Sequence, residues 1–324
     1  MRAAVYYENG GPEVFRYETV PDPVPGPDDV LLEVEAVSVE GGDTLNRSSG
    51  ALAHVPHVVG YQCAGTVLST GGQVTGIEVG DRVVTLGLDG SHAELRVAGQ
   101  SFCWVIPAGL STEEAACVPT PFGTASDCLF EFGRTQPGET VLIHAGASGV
   151  GIAAIQLAKR AGARVLATAS SDDRLARLVE FGLDQGINYA KEDFVQAVRE
   201  GTEGRGADVI IDSVGGSTLQ KSLHSLAYRG RCVSFGNAGR EGAFRLDVSG
   251  MTTSNQTLTG YFLGAELFFT PRPHAVIASL LQEIALGDLR VVIDRRFPLE
   301  DAGEAHAYIE SRQAFGRVVL LPHP

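Results

Sequence analysis

The stretch that decides the fold is Thr140–Gly162, "TVLIHAGASGVGIAAIQLAKRAG". It opens on an apolar run that reads as a buried strand and passes through a glycine-rich turn. It then enters a run whose apolar residues recur with helical period. Gly146, Gly149 and Gly151 stand in the turn, spaced G-x-x-G-x-G rather than G-x-G-x-x-G. Glycine there allows a tight bend and close approach of backbone to an anion, and the helix start turns its free amides toward the same place. A structural turn needs glycine too, but this one sits in a complete strand–turn–helix–strand frame. The turn residues Gly146, Ser148, Gly149, Val150 and Gly151 are therefore expected to bind the pyrophosphate of a dinucleotide.

Downstream the alternation continues. "ARVLATAS", "DQGINY", "ADVIIDSVG" and "RCVSFGN" read as strands; "DDRLARLVEFG", "EDFVQAVREGT" and "TLQKSLHSLAYRG" read as helices. Strands alternating with helices imply a doubly wound parallel sheet covered on both faces. The second strand bears on which dinucleotide is bound. A site for NAD places Asp or Glu at its end to take the ribose hydroxyls. This one ends in Ala169, Ser170 and Ser171, with Arg174 on the first turn of the following helix. Two hydroxyls and a guanidinium suit a 2′-phosphate, so NADPH is the expected cofactor. Asp172 and Asp173 argue the other way unless they face solvent at the helix N-terminus, where negative charge is favoured.

Upstream, residues 1–122 have another texture, with short Val- and Leu-rich runs separated by turns such as "PGPDD" and "VGD". This is a β-rich module. Beyond residue 262 the alternation loosens into an amphipathic helix, "HAVIASLLQEIALGDL", and two strand-like runs, "VVIDRRFPL" and "GRVVLLP". The tail is either a small third unit or a return to the first module.

Composition excludes several classes. The 324 residues carry 39 acidic and 25 basic side chains, a formal charge of −14, with no basic run to track phosphates, so nucleic acid is not an expected partner. No stretch of about 20 apolar residues predicts a membrane span. The N-terminus lacks an apolar leader, and the five cysteines form no CxxC pair. Buried free thiols and a cytoplasmic location are expected. The eight histidines show no metal-ligand spacing. His144 reads as a packed or backbone-bonded side chain rather than an acid or base, and Ser148 lies in no nucleophile elbow, which argues against a hydrolase.

The segments Met1–Ala36, Pro137–Gly162, "INYAKEDF", "DSVGG" and "AHAYIESRQAFGRVVL" together resemble the medium-chain dehydrogenase/reductase superfamily. The branch they look most similar to is that of the zinc-independent quinone oxidoreductases, relatives of zeta-crystallin. The resemblance runs nearly end to end. It implies a GroES-like β-rich catalytic domain at 1–122, a Rossmann domain at 123–262 and a return to the catalytic domain at 263–324. The cofactor would lie in a cleft between the domains, and a homodimer is the common assembly.

The resemblance also bears on "SVEGGDTLNRSSG", Ser38–Gly50, which reads as a loop. Zinc-bearing members of the superfamily place a Cys ligand where this chain has Glu40, three residues before Asp43. Tyr61 of "GYQ" stands for their His ligand and Thr120 for their third ligand. A lone carboxylate is a poor zinc site, so no metal is expected. Quinone oxidoreductases carry Asn-Pro-Val-Asp-Thr-Tyr in this loop; here Glu40, Gly41, Gly42, Asp43, Thr44 and Leu45 replace it in order. Asp43, Leu45 and Tyr61 are expected at the substrate wall, with Asp43 either a hydrogen-bond anchor or a chemical group. Glu40 is a proton donor if it faces the nicotinamide, and an anchor if it points to solvent or pairs with Arg47. Thr124 takes the place of a threonine that sits against the nicotinamide ribose or carboxamide. Tyr189 matches an adenosine contact, or is a plain core tyrosine. Val214, Phe235, Gly236, Asn237, Phe262 and Leu263 match segments flanking the nicotinamide, and Arg317 a basic residue near the cofactor.

The implied function is hydride transfer from NADPH to a small hydrophobic quinone. The alternatives are reduction of an enone, alkenal or enoyl thioester, with Thr124 or backbone amides on the enolate, and a non-enzymatic cofactor- or RNA-binding protein.

Overall fold

The computed structural model describes residues 1–323. They form two compact units: Met1–Thr120 with the chain from Thr270 onward, and Pro121–Phe269.

The first unit begins with β1 (Arg2–Tyr6), β2 (Arg16–Thr19), β3 (Asp29–Val39), helix α1 (Gly41–Ser49), β4 (His57–Val58), β5 (Gln62–Thr70), β6 (Arg82–Leu86), β7 (Leu95–Gly99) and β8 (Cys103–Val105). The short α2 (Thr112–Ala116) and α3 (Pro119–Ser126) follow, the latter running into the second unit. The second unit alternates β9 (Thr140–Ile143), α4 (Gly149–Arg160), β10 (Arg164–Ala169), α5 (Asp172–Leu178), β11 (Gln185–Asn188), α6 (Phe194–Gly201), β12 (Ala207–Asp212), α7 (Gly216–Ser225), β13 (Leu226–Ser234), β14 (Thr257–Gly260) and α8 (Leu263–Phe269). The chain closes with α9 (Arg272–Ala285), β15 (Ile293–Pro298), α10 (Ala302–Glu310) and β16 (Arg317–Leu321) in the first unit.

The second unit is one six-stranded parallel sheet in the order β11-β10-β9-β12-β13-β14. Its central strands are buried on both faces, as in "TVLI" of β9, because helices cover each side. The chain winds outward from β9 through β10 to β11, then restarts at β12 on the other side. That places a topological switch point between β9 and β12. One expected helix is shorter than its pattern. "TLQKSLHSLAYRG" is helical only to Ser225; from Leu226 the chain is extended, pairing with Ala207 and, from Arg231, with Val209 onward. Sheet pairing overrides the helical period of the last five residues.

In the first unit β3 organises a seven-stranded sheet, pairing antiparallel with β5, β7 and β16. At its far end Ser38 lies opposite Gln62 on one side and Val319 on the other. That register delivers Gln62 and Arg317 to the start of α1. The apolar faces of β3, β5 and β16 pack with Leu299, Ala302 and Ala305 into one core.

The same core edge holds a buried imidazole pair. His92 and His306, the latter on α10, are both fully buried, with their Nε2 atoms 3.0 Å apart. Burial, aided by Arg96, lowers the His92 pKa to about 3; burial, then His92 and Arg47, lowers that of His306 well below its ordinary 6.5. The unfolded chain takes up protons below pH 6.5 that the folded imidazoles refuse, so their contribution is intact above that pH and is lost as pH falls. His306→Gln, which keeps a side-chain N–H for His92, should therefore flatten the loss of stability below pH 6.5 by about 1.4 kcal/mol per pH unit. Denaturant titrations of both proteins across that range measure it. Equal slopes would mean that His306 titrates normally in the folded protein.

Candidate active site

Most of the residues expected at the cofactor stand at the carboxyl ends of the parallel strands, each set just beyond its own; Arg174 lies within α5, Thr124 in α3 and Arg317 at the start of β16. The turn Ala145–Gly151 follows β9, Ser170 and Ser171 follow β10, and Tyr189 follows β11. Val214 follows β12, Phe235–Asn237 follow β13, and Phe262 with Leu263 follow β14. In open parallel sheets this edge, near the switch point, is where ligands bind.

The β9 turn has the form that a pyrophosphate needs. Ser148 caps α4, its Oγ accepting the Gly151 N–H at 3.0 Å, while Ile152 bonds back to the Ser148 carbonyl. The first-turn amides of Gly149 and Val150 point out of the helix end, as helix geometry requires. A Cβ at Gly151 would lie 2.4 Å from the Ala145 carbonyl oxygen, so the turn closes only on glycine. These residues fit a dinucleotide phosphate: bare backbone, aligned donors and a helix N-terminus.

Beyond the end of β10 the first carboxylate is already committed. Ser171 caps α5 by accepting the Arg174 N–H. Asp172 accepts from Asn188 Nδ2 at 2.7 Å and pairs with Lys191, and these bonds hold its carboxyl below the ordinary value. Asp173 is exposed on the first turn of α5. Ser170 and Tyr189 are exposed, and Arg174 is half-buried. The corner thus offers hydroxyls and a guanidinium, with its nearest acid neutralised by Lys191. Lys191 and Asn188 escaped the sequence reading because their role depends on α5 and the end of β11 meeting in space.

In the first unit, Glu40, Asp43 and Tyr61 come together around the start of α1. This segment is a helix where two glycines and a string of polar residues read as a loop. Asp43 explains why. Its Oδ2 accepts the Glu40 N–H at 2.8 Å and its Oδ1 the Tyr61 N–H at 3.1 Å, tying the first turn to the residue just before β5. Gly42 is equally specific: a Cβ there would sit 2.4 Å from the Tyr61 ring, so the ring packs on the helix only over glycine. The Tyr61 hydroxyl accepts from Asn46 at 3.1 Å. Leu45 is half-buried on the same helix.

Glu40 does not pair with Arg47, which bonds Glu310 instead. Its Oε1 accepts from Gln62 Nε2 at 2.6 Å and Ser38 Oγ at 3.3 Å, and is ion-paired with Arg317. Arg317, expected near the cofactor, also donates to Ser38 Oγ and the Val39 carbonyl, and is itself buried. Gln62 in turn accepts the Thr120 N–H at 2.8 Å. Burial pushes the Glu40 carboxyl up from its ordinary value, against the pull of Arg317, Ser38 and Gln62. Asp43 is pushed up to about 8, by burial first and the Glu40 charge second, while the Glu40 and Tyr61 amides oppose. One guanidinium serves two buried carboxyls, so the cluster favours holding a proton. Ser38, Gln62 and Arg317 were missed as a set because they meet through strand register alone.

Thr124 is buried in α3, within the second unit. His144 is fixed by side-chain hydrogen bonds to Thr168 and Ser222 rather than by backbone bonds or packing alone. Among the described residues no group of three or more His, Cys, Asp or Glu side chains could hold a metal ion, and no helix is long and apolar enough to cross a membrane.

Known proteins share this arrangement. Residues 26–121 match the alcohol dehydrogenase GroES-like domain, and residues 149–282 match the zinc-binding dehydrogenase family. A quinone oxidoreductase of Pseudomonas aeruginosa is 35% identical over 316 residues, covering 97% of each chain. A 2-haloacrylate reductase of a Burkholderia species is 33% identical over 341 residues, covering 99% of each. The crystal structure of Escherichia coli quinone oxidoreductase complexed with NADPH superposes with a TM-score of 0.94 at 30% identity, covering 99% of this chain and 100% of that one. With relatives this similar over nearly their whole length, a GroES-like unit joined to a Rossmann unit, and Glu40 tied to Arg317 where zinc-bearing members place a ligand, the chain belongs to the medium-chain dehydrogenase/reductase superfamily, in its zinc-independent quinone-oxidoreductase branch, and is an oxidoreductase.

Proposed function

We propose that the protein is an NADPH-dependent, zinc-independent reductase whose hydride acceptor is a quinone-like molecule. The observation that carries this reading is the pairing of two features. The β10 corner has an available guanidinium and a neutralised acid, and the superfamily's metal position is filled by an ion-paired carboxylate. Bound NADPH supplies the hydride from its nicotinamide C4. The chain supplies the hold. Ser170, Ser171 and Arg174 take the 2′-phosphate, the Gly149 and Val150 amides the pyrophosphate, and Tyr189 the adenosine half. Val214, Phe235, Gly236, Asn237, Phe262 and Leu263 flank the nicotinamide, and the Thr124 hydroxyl orients its ribose or carboxamide.

Glu40 serves as an anchor in this reading, not as the proton donor. Glu40 is 4% exposed and Asp43 is fully buried, and both are spent on local bonds. A quinone suits a site without a free acid, because its reduced oxygens take protons from water. Leu45 and Tyr61 give the acceptor an apolar wall.

Conjugated C=C reduction is the second reading, favoured by the 2-haloacrylate reductase relative. Haloacrylates and quinones share a double bond conjugated to a carbonyl. Steady-state NADPH oxidation against matched panels of quinones, enones and acrylates separates them. The proposal expects the highest kcat/KM among quinones. A higher value for an enone or acrylate would transfer the assignment to the second reading, and inertness toward every acceptor would defeat both. A homodimer is the expected assembly; β14 ends its sheet and offers an edge for a second copy.

A further inference from the structure

We propose that His144, as its Nε2–H tautomer, is the central positioning residue of a buried hydrogen-bond chain joining the turn after β9 to the Val214–Gly216 segment after β12. The inference rests on the reading that these two segments hold NADPH.

The directions of the bonds follow from donor and acceptor inventory. At one end Ala145 donates its N–H to Thr168 Oγ1 at 3.3 Å, so that hydroxyl is an acceptor there. Its own hydrogen is then available for His144 Nδ1, 3.1 Å away. On the other side of the ring, Nε2 lies 2.9 Å from Ser222 Oγ. The single Ser222 hydrogen has two oxygen acceptors, Asp212 Oδ2 at 3.0 Å and the Thr218 carbonyl at 2.9 Å. With the hydrogen given to either of these oxygens, Ser222 accepts from His144, which places the proton on Nε2 as the proposal requires; the opposite tautomer would take that hydrogen away from the Asp212 carboxylate. Asp212 Oδ1 completes the chain by accepting the Val214 and Gly215 N–H groups, each at 2.8 Å.

The placement is as informative as the chemistry. Asp212, Ser222, Thr168 and His144 are all at most 3% exposed, so no water competes for these bonds. Burial lowers the His144 pKa and keeps the ring neutral, against the pull of Asp212. The chain crosses the switch point, linking β10 and β9 to β12 and α7. Ala145 needs such a hold, since its φ of 50° is a left-handed conformation that non-glycine residues adopt at a cost. A histidine that only filled space would need its contact with the Phe194 ring, 4.7 Å between centroids, and nothing more.

Thr168→Val keeps the volume and deletes the hydroxyl; Thr168→Ser restores it. NADPH dissociation constants and thermal unfolding are measured for both, with Phe194→Leu as a packing control. Thr168→Val should weaken NADPH on the order of tenfold. Thr168→Ser should stay within about twofold of wild type, and Phe194→Leu should lower stability without changing affinity. Nitrogen-15 spectra of the wild-type protein should show His144 as the Nε2–H tautomer. Wild-type NADPH affinity in Thr168→Val, or a Nδ1–H or doubly protonated ring, would overturn the proposal. Should Thr168→Val fail to fold, the wild-type tautomer decides. If wild-type protein binds no NADPH, the cofactor reading fails, and the tautomer measurement still decides the hydrogen-bond chain.

Discussion

Replacing Arg174 with alanine should weaken NADPH binding by roughly 10- to 100-fold while leaving NADH nearly unchanged. The expectation rests on what the corner lacks as much as on what it has. β10 and the two residues that follow it, Ser170 and Ser171, carry no Asp or Glu to take ribose hydroxyls, and the first acid beyond them, Asp172, is held by Asn188 and Lys191. A charge-assisted bond to a phosphate contributes about 1.5–3 kcal/mol, and NADH has no phosphate there to lose it. Titrations of both cofactors against both proteins measure the difference. Equal losses would move Arg174 away from the 2′-phosphate and reopen the question of which cofactor is preferred.

The second large effect is on stability. Glu40→Ala should cost about 3–5 kcal/mol, because it leaves the Arg317 guanidinium buried without its counter-charge. Replacing both partners, as in Glu40→Met with Arg317→Met, should recover most of that loss, since two apolar side chains leave no charge stranded. Denaturant unfolding of the two single variants and the double variant measures the cycle. The activity readout is separate. Glu40→Gln should leave the shape of the pH–rate profile for quinone reduction unchanged, whatever it costs in stability. A lost limb in that profile would return Glu40 to the role of proton donor.

The contrast between these two sites shows what can be read from a chain alone. The parallel-sheet frame was legible because its signals are local: strand, glycine turn and helix follow one another within a few residues, and most of the residues expected at the cofactor fall just past a strand end. The metal position was legible only as a loss. That Glu40 stands in place of a cysteine follows from the resemblance to zinc-bearing members, but its partner lies 277 positions away and arrives through the pairing of β16 with β3. The α1 helix was hidden for a different reason. Two glycines at its start lower helix propensity, and the compensations are a hydrogen bond from the Tyr61 amide to Asp43 and the Tyr61 ring over Gly42. The packing and backbone bond expected of His144 are present, against Phe194 and to Ile211; its side-chain bonds were out of reach because Thr168 and Ser222 lie 24 and 78 positions away.

The most direct test of the account is the fate of hydride in chelator-treated protein. NADPH deuterated at its transferable C4 position is mixed with protein and a quinone under single-turnover conditions, and nicotinamide oxidation is followed alongside quinone reduction. The account predicts that both proceed at one rate, slowed by deuterium, and that added zinc changes nothing. Oxidation that appears only when zinc is restored, or NADPH that remains intact beside every quinone supplied, would contradict it.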